Sequence, residues 1–403
     1  MITARMARLS QSAASKTARA AIVGLLIVMA AVFLVQTFGK AHREIGYDFT
    51  SYLASARALA HGENPYATGS AFPYLYPLFL AFALIPLTLV PYWLAVFLWY
   101  AISIAALASA ACVFAGLTKA EQPASGSDQP LLPLFTLSVL LIPILQNNLL
   151  NGQVNFLVLL LCVLFLKFHL ENRVFLAPLM LAMGIAIKIV PAILILFLLV
   201  RRRFQEAALT FALAVVLCLA PAGLLGAKSA NVIAEYFNSM FLGRFTGDHL
   251  AAAKGMFFSL AGFLSYLVPD AAEAGWLKPI SVGLVVLIVL LTHYRVRSDP
   301  RRETQARIFS LYLIAILLVV PMSETHHLAF LLPAVFLTLV MPTRMRRLHP
   351  ALRWGIPGMF FVLFWLGKSY KLGPFLFLAT AYLFLLCGWN ILFDRHVKTA
   401  HEG

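Results

Sequence analysis

Charge is scarce in this chain. Of 403 residues only 12% are charged and only 16 are acidic, about half the share carried by soluble domains. A water-facing globular fold of this length is excluded. Cysteine is equally sparse: Cys112, Cys162, Cys218 and Cys387 all sit inside apolar runs, with no CxxC or CxxH pattern. That excludes a disulfide framework and a cysteine zinc site. Carboxylates are too few on any loop to suggest a metal centre, so no metal or other cofactor is expected. Strict apolar–polar alternation is missing too, which argues against a membrane β-barrel. The formal charge of +15 does not point to nucleic acid. Its Lys and Arg gather in short gaps between apolar runs, as in proteins whose inner loops face anionic membrane lipids.

What remains is apolar: 62% of residues are hydrophobic. Runs of about 17–25 such residues recur, each long enough to cross a hydrocarbon core of about 30 Å. Backbone at that depth must satisfy its own hydrogen bonds, which favours helices. The reading is an all-α polytopic membrane protein, 1–403 being a single integral membrane domain. Twelve spans are expected near 20–38, 75–90, 92–116, 131–146, 154–169, 174–200, 205–224, 277–294, 307–322, 327–342, 354–367 and 374–393. The first, Ala20–Phe38, follows several basic residues and has no small-residue cleavage site, so it reads as an uncleaved anchor. With both termini cytoplasmic, RRR (201–203), RVRSDPRRETQAR (295–307), RMRRLHPALR (344–353) and DRHVK (394–398) all fall inside. Loops 39–74 and 225–276 and the MSETHH turn (322–327) fall outside. The chemistry is therefore expected on the outer face.

The stretch GYDFTSYLASAR (46–57) is the most pointed of these segments. Asp48, Tyr52, Ser55 and Leu59 recur at helical spacing beside an apolar stripe of Phe49, Leu53, Ala56 and Ala60. This predicts a short amphipathic helix on the membrane surface, ended by Gly62 and Pro65. Asp48 is either its N-cap or a carboxylate presented to a substrate, and the two roles are compatible. In SETHH (323–327) the adjacent histidines point to different helix faces, which disfavours a metal shared by this pair. The choice is between ordinary interfacial polar work and hydrogen bonding to a phosphate or acceptor hydroxyl by Glu324, His326 or His327.

NNLLNGQVN (147–155) breaks two apolar runs. A turn accounts for its Asn-Gly but not for Gln153 and Asn155, polar groups that are costly in lipid unless they line a cavity or meet another helix. The alternating topology puts this break on the inner side. Lys188, in MGIAIKIVP (183–191), lies 13 residues before Arg201. That is about 19 Å of helix, too far to snorkel, and a lysine at such depth costs roughly 2.5–3.5 kcal/mol. A partner or a function is expected for it. Tyr74 and Tyr76, opening YLYPLFLAFALIPL (74–87), suit an aromatic belt.

Taken in order, these segments resemble glycosyltransferase family 87, polytopic enzymes of the GT-C class that include polyprenyl-phosphate-mannose-dependent mannosyltransferases of mycobacteria. The resemblance rests on YDFTSYLASARALAHGENPY, the Tyr76-Pro77 pair, GQVN (152–155), GIAIKIVP (184–191) and the histidines of SETHH. At 255–260 the chain reads GMFFSL, keeping Ser259 and Leu260 of the family's run but not its amides.

The resemblance implies a GT-C-like bundle, and few cysteines with no sorting signal fit a bacterial inner membrane. It also implies a polyprenyl-phosphate sugar donor, a lipid or glycan acceptor, and transfer on the outer face. Asp48 is then the general base, and a histidine at 326–327 is required. For the phosphate charge the candidates are His326, His327, Lys188, Arg244 and Lys254; Tyr52, Gln153, Asn155, Ser259 and Glu324 complete the substrate-binding set. A lipid-linked sugar transporter or flippase is the competing reading, favoured by Lys188 and the polar break but lacking an inverted repeat.

Overall fold

The computed structural model describes residues 24, 27, 28, 31–41, 48–70, 72–119, 142–241, 257–267, 277–320, 323–337, 350–369 and 373–392. The chain divides into two units, Met1–Ile45 and Gly46–Gly403. In the first, residues 31–41 form helix α1, where Thr37 Oγ1 donates back to Phe33 O at 2.7 Å. The second begins with α2 (Asp48–Ala60), α3 (Leu78–Leu84), α4 (Tyr92–Lys119), α5 (Ile142–Asn151), α6 (Asn155–Leu170), α7 (Leu176–Ile187) and α8 (Ile193–Val200). It continues with α9 (Phe204–Leu219), α10 (Ser229–Phe241), α11 (Leu260–Leu267), α12 (Leu277–Val296), α13 (Arg302–Val319), α14 (Pro350–Ser369) and α15 (Gly373–Leu392). Short 3-10 stretches at Ile85–Leu89, Val190–Ala192, Ala220–Lys228 and Thr325–Leu331 extend or join them. No strand occurs among the described residues.

This is an all-α membrane protein, but its described residues do not reproduce twelve crossings. Four stretches are long and apolar enough to cross: Tyr92–Thr118, Phe204–Asn238, Pro279–Val296 and Gly373–Leu392. The α5–α6 pair makes a fifth if counted as one span, and it is bent by 114°. Several other apolar helices run only 10–17 residues. Helix α13 is the core element, buried on every face from Thr304 to Leu318, as a helix surrounded by neighbours must be. Expected loop 225–276 instead holds α10 and α11, with 242–256 and 268–276 outside the described residues. The basic stretches 344–349 and 394–398 also lie outside them.

The helix directions are set by what meets at the two ends of this unit. At one end His169, near the end of α6, bonds Glu206 at the start of α9 at 2.7 Å. The Phe197 ring of α8 packs between His169 and His293, which closes α12, and meets Tyr312 of α13. Arg203 Nη2 reaches Asn172 Oδ1 at 2.9 Å. This is the arginine end. At the other end Asn155, opening α6, meets Lys188 and the backbone of His326. Helix α7 must therefore climb from the arginine end to Lys188, and α8 must return.

The apolar run 174–200 is thus a hairpin tipped by Lys188, not the single span its hydropathy suggests. Pro191 explains the break, since it lacks an amide donor and disfavours helix in the residue before it. Lys188 takes an extended conformation (φ −151°, ψ 120°) after its amide closes on Gly184 O. The arms are short; α7 has 12 residues, about 18 Å of helix.

The break between α5 and α6 belongs to the Lys188 end, not to the opposite side where the alternating topology put it. Gly152 turns it with φ +63°, a conformation that side chains disfavour. A Cβ on Gly152 would sit 2.5 Å from Phe49 Cβ of α2. Trp99 of α4 stacks on Phe49 (5.5 Å between ring centres) and donates its indole N–H to Gly152 O at 2.7 Å.

Helix α2 is also not the amphipathic surface helix expected. Tyr52, Ser55 and Leu59 of the Asp48 stripe are as buried as Phe49, Leu53 and Ala56 of the apolar stripe. The stripe is polar because it has partners inside, with Ser55 Oγ donating to Pro65 O at 2.8 Å. After α2 the 62–66 segment docks on α10: Asn64 donates to Glu235 at 2.7 Å and the Tyr66 and Tyr236 rings stack at 5.2 Å.

Candidate active site

Asp48 opens α2 half-buried, and its carboxylate accepts a hydrogen bond from Gln153 Nε2. Gln153 is oriented by what lies behind it. The phenol of Tyr76 donates to its Oε1 at 3.2 Å and that of Tyr52 lies 3.4 Å away, so the amide nitrogen is turned toward Asp48. Tyr52 also donates to the Tyr76 hydroxyl at 2.9 Å. Burial first, and then the neighbouring phenol and carboxylate, push the Tyr52 hydroxyl well above its ordinary range, so it stays a donor. Burial likewise raises Asp48 above an ordinary carboxylate, although a charge on Lys188 and the Gln153 bond pull the other way. The result is a fixed, partly desolvated carboxylate with one oxygen held and its basicity increased.

A second chain of contacts surrounds Lys188. Its Nζ donates to Asn155 Oδ1 at 2.9 Å and lies 2.8 Å from His327 Nε2. The Tyr76 ring centre is 5.6 Å from the same atom. Asn155 Nδ2 donates to Asn148 Oδ1 at 3.0 Å and to His326 O at 3.1 Å. Asn148 Nδ2 donates to Ile144 O and again to His326 O, at 2.8 and 2.9 Å. Because carbonyl oxygens only accept, these bonds fix both amide orientations.

The SETHH turn supplies the other wall. Glu324 is the N-cap of the 3-10 turn Thr325–Leu331, forming a capping box with His327. Glu324 N–H donates to His327 Nδ1 at 3.0 Å while its own carboxylate caps the His327 amide. The two histidines differ in use. His327 presents Nε2 to Lys188, whereas His326 serves the network through its backbone carbonyl, with Nδ1 3.7 Å from Glu324 Oε2. The structure therefore brings Asp48, Tyr52, Gln153, Asn155, Lys188, Glu324, His326 and His327 into one region. The inner-side placement that separated Gln153 and Asn155 from an Asp48 site is corrected.

Ser259 is placed differently. Its hydroxyl accepts the Gly262 amide at 3.0 Å, a cap at the start of α11. Phe258 N–H, one residue earlier, donates to Ser323 O at 3.2 Å and ties this segment to the SETHH turn. Arg244 and Lys254 lie outside the described residues. Sequence reasoning missed two members: Tyr76, read as a belt residue, and Asn148, passed over in the same polar break that gave Gln153 and Asn155. The signal for Asn148 was there, since a second amide one helical turn from the break needs a partner in an apolar run.

Chemically, the region offers a base on one side and, on the other, an amine and an imidazole carried by neutral amides. No cluster of three or more metal-ligating side chains occurs among the described residues. A base that takes a hydroxyl proton, opposite groups that receive a departing phosphate, is the division of labour that displacement at a sugar carbon needs.

Comparison with known proteins gives the chain's family. A polyprenol-phosphate-mannose-dependent α-(1-2)-phosphatidylinositol pentamannoside mannosyltransferase of Mycobacterium tuberculosis is 27% identical over 363 residues, covering 88% of this chain and 80% of its own. The sequence model of glycosyltransferase family 87 matches residues 74–321, a stretch that holds Tyr76, Asn148, Gln153, Asn155 and Lys188. The chain belongs to glycosyltransferase family 87 and is a membrane glycosyltransferase.

Proposed function

We propose that this protein moves a hexose, mannose by analogy with its mycobacterial relative, from a polyprenyl-phosphate donor to a lipid or glycan acceptor. The acceptor hydroxyl loses its proton to Asp48 as its oxygen attacks the anomeric carbon. The bond from that carbon to phosphate breaks on the opposite face, and polyprenyl phosphate leaves with the electron pair. A single displacement of this kind inverts the anomeric centre. Lys188 and His327 receive the phosphate charge, and Arg244 and Lys254 are further candidates for that role. Gln153, Tyr52 and Tyr76 hold Asp48, while Asn155 and Glu324 hold the cationic side.

The observation that carries this reading is the separation of Asp48 from Lys188. Each is held by neutral groups, Gln153 for one and Asn155 with His327 for the other, which leaves the carboxylate and the lysine side chain for a ligand. The whole of 1–403 then acts as one GT-C-like domain in a bacterial inner membrane. Its arginine end and both termini are cytoplasmic, and Asp48 opens to the outer face. Membrane lipid surrounds the bundle, and the polyprenyl tail lies among its short helices.

A transporter of lipid-linked sugar would share the broken helices at 151–155 and 188–191. The deciding experiment reconstitutes the purified protein in liposomes with labelled polyprenyl-phospho-mannose and a lipid acceptor extract. Label in a new glycosidic bond, with free polyprenyl phosphate released one for one, supports the transferase. Label that crosses the bilayer still attached to polyprenyl phosphate would replace it with the transporter.

A further inference from the structure

The hydrogen bonds around His327 assign its proton, and with it the charge of Lys188. Glu324 N–H is a backbone amide and can only donate, so His327 Nδ1, 3.0 Å away, presents its lone pair. A neutral imidazole carries one N–H, which is therefore on Nε2. That N–H points at Lys188 Nζ, 2.8 Å away. An ammonium has three N–H bonds and no lone pair, so it would set N–H against N–H at this distance. An amine accepts from Nε2–H and still donates to Asn155 Oδ1 at 2.9 Å. The Asn155 amide cannot be turned to relieve this, because its nitrogen already serves His326 O.

We propose that Lys188 is an uncharged amine in the resting site, and that the donor phosphodiester binds with uptake of one proton onto it. The proton comes from solvent. An N–H bond forms at the Nζ lone pair, the Nε2–H···Nζ bond to His327 breaks, and the new ammonium turns to a phosphate oxygen. His327 keeps its proton and its cap to Glu324, and its freed Nε2–H becomes a second donor to the same phosphate. The pair thus stores two phosphate donors as one internal hydrogen bond. This also removes the cost of holding an unpaired ammonium among apolar helices between turnovers.

Among the described residues, the titratable groups facing Lys188 are two carboxylates and two histidines. Asp48 on α2 is held by Gln153, Glu324 is exposed at the head of the SETHH turn, and His326 and His327 follow it. The Tyr76 ring and Asn155, also beside it, carry no charge. No ion pair among the described residues joins Lys188 to either carboxylate.

The inference rests on the donor class proposed above, and its failure is separable from that of the donor class. The phosphodiester holds one negative charge throughout the neutral range, so any proton taken up on binding belongs to the protein. Donor KM and kcat are measured on the full-length protein in nanodiscs from about pH 6 to about pH 9. Calorimetric binding of the donor in buffers of different ionisation enthalpy gives the protons taken up.

The wild type is expected to bind donor with close to one proton at the alkaline end, and its KM rises about tenfold per pH unit there while kcat stays level. In Lys188→Arg, whose guanidinium is always charged, the uptake falls to near zero and the KM slope flattens. Slope that survives in that variant belongs to Asp48 or Glu324 and overturns the assignment to Lys188. Wild-type binding without proton uptake also overturns it, and leaves the activity standing. Should Lys188→Arg not fold, the wild-type proton count decides alone. Absence of both binding and transfer overturns the donor class, and this inference with it.

Discussion

The two ends of the bundle treat charge in opposite ways. At the arginine end opposite charges meet directly. Arg301 clasps Asp299 through several bonds, Arg307 pairs with Glu303, Lys167 with Glu171, and buried Glu206 meets Arg203. Asp299 shows the consequence. Burial raises its pKa, but hydrogen bonds from Arg301 and Thr304 outweigh that and hold it below the ordinary carboxylate range. At the Asp48 end the same residue types are kept apart by neutral groups, and burial wins, so Asp48 stays above that range. Pairing makes the first end a structural clamp. Withholding it leaves the second end suited to a ligand, and perturbed, unpaired carboxylates cluster where chemistry is done.

This contrast can be broken at its strongest point. Asp48→Asn should lower transfer by roughly 10²- to 10⁴-fold, the usual worth of a positioned base, and leave thermal stability in detergent unchanged or raised. Next comes the hinge. Gly152→Ala forces a side chain into a positive-φ turn against Phe49 and should cost about 1–3 kcal/mol. A lowered unfolding temperature and a lowered kcat are expected together, since Gln153 moves with the turn.

Glu206→Gln tests the other end. It removes the carboxylate from His169 and Arg203 and should destabilise by about 1–3 kcal/mol, while kcat/KM per folded molecule stays at the wild-type value. A fall in kcat/KM there would show that the two ends are not separate in function.

The pH profile sharpens the same comparison. Asp48 must be ionised to act, so kcat should fall as pH drops through its raised pKa, at higher pH than an ordinary carboxylate would give. Gln153→Leu removes a hydrogen bond that lowers that pKa. It should therefore move the acid limb to still higher pH; a shift to lower pH would contradict the assignment. The smallest effect concerns metal: EDTA should leave the rate unchanged, and a loss restored by a divalent cation would require a ligand set the account does not contain.

Most of the site was legible in the sequence because polar residues are conspicuous in an apolar chain. Asp48, Gln153, Asn155, Lys188 and the SETHH turn each stood out as a group that lipid would not tolerate alone. Their assembly was not legible. Residues 174–200 read as one continuous apolar span, and only Pro191 hinted at the turn that makes Lys188 a hairpin tip. The alternation of spans, counted from the N-terminus, separately put Gln153 on the side opposite Asp48. Tyr76 was missed for a related reason: its partner Gln153 is 77 residues away, and a tyrosine at a span's edge has an ordinary explanation. Helix α2 was misread because a polar stripe looks the same whether it faces water or a buried amide.

The central claim is that Asp48 takes the acceptor's proton, and one comparison tests it most directly. Wild type and Asp48→Asn, matched for folded protein, are given labelled polyprenyl-phospho-mannose, and the label entering lipid-extractable glycoside is counted. Transfer is expected from the wild type and at least a hundredfold less from the variant, with donor binding retained. Equal transfer by both would return Asp48 to the start of its helix as a cap and remove the base from the mechanism.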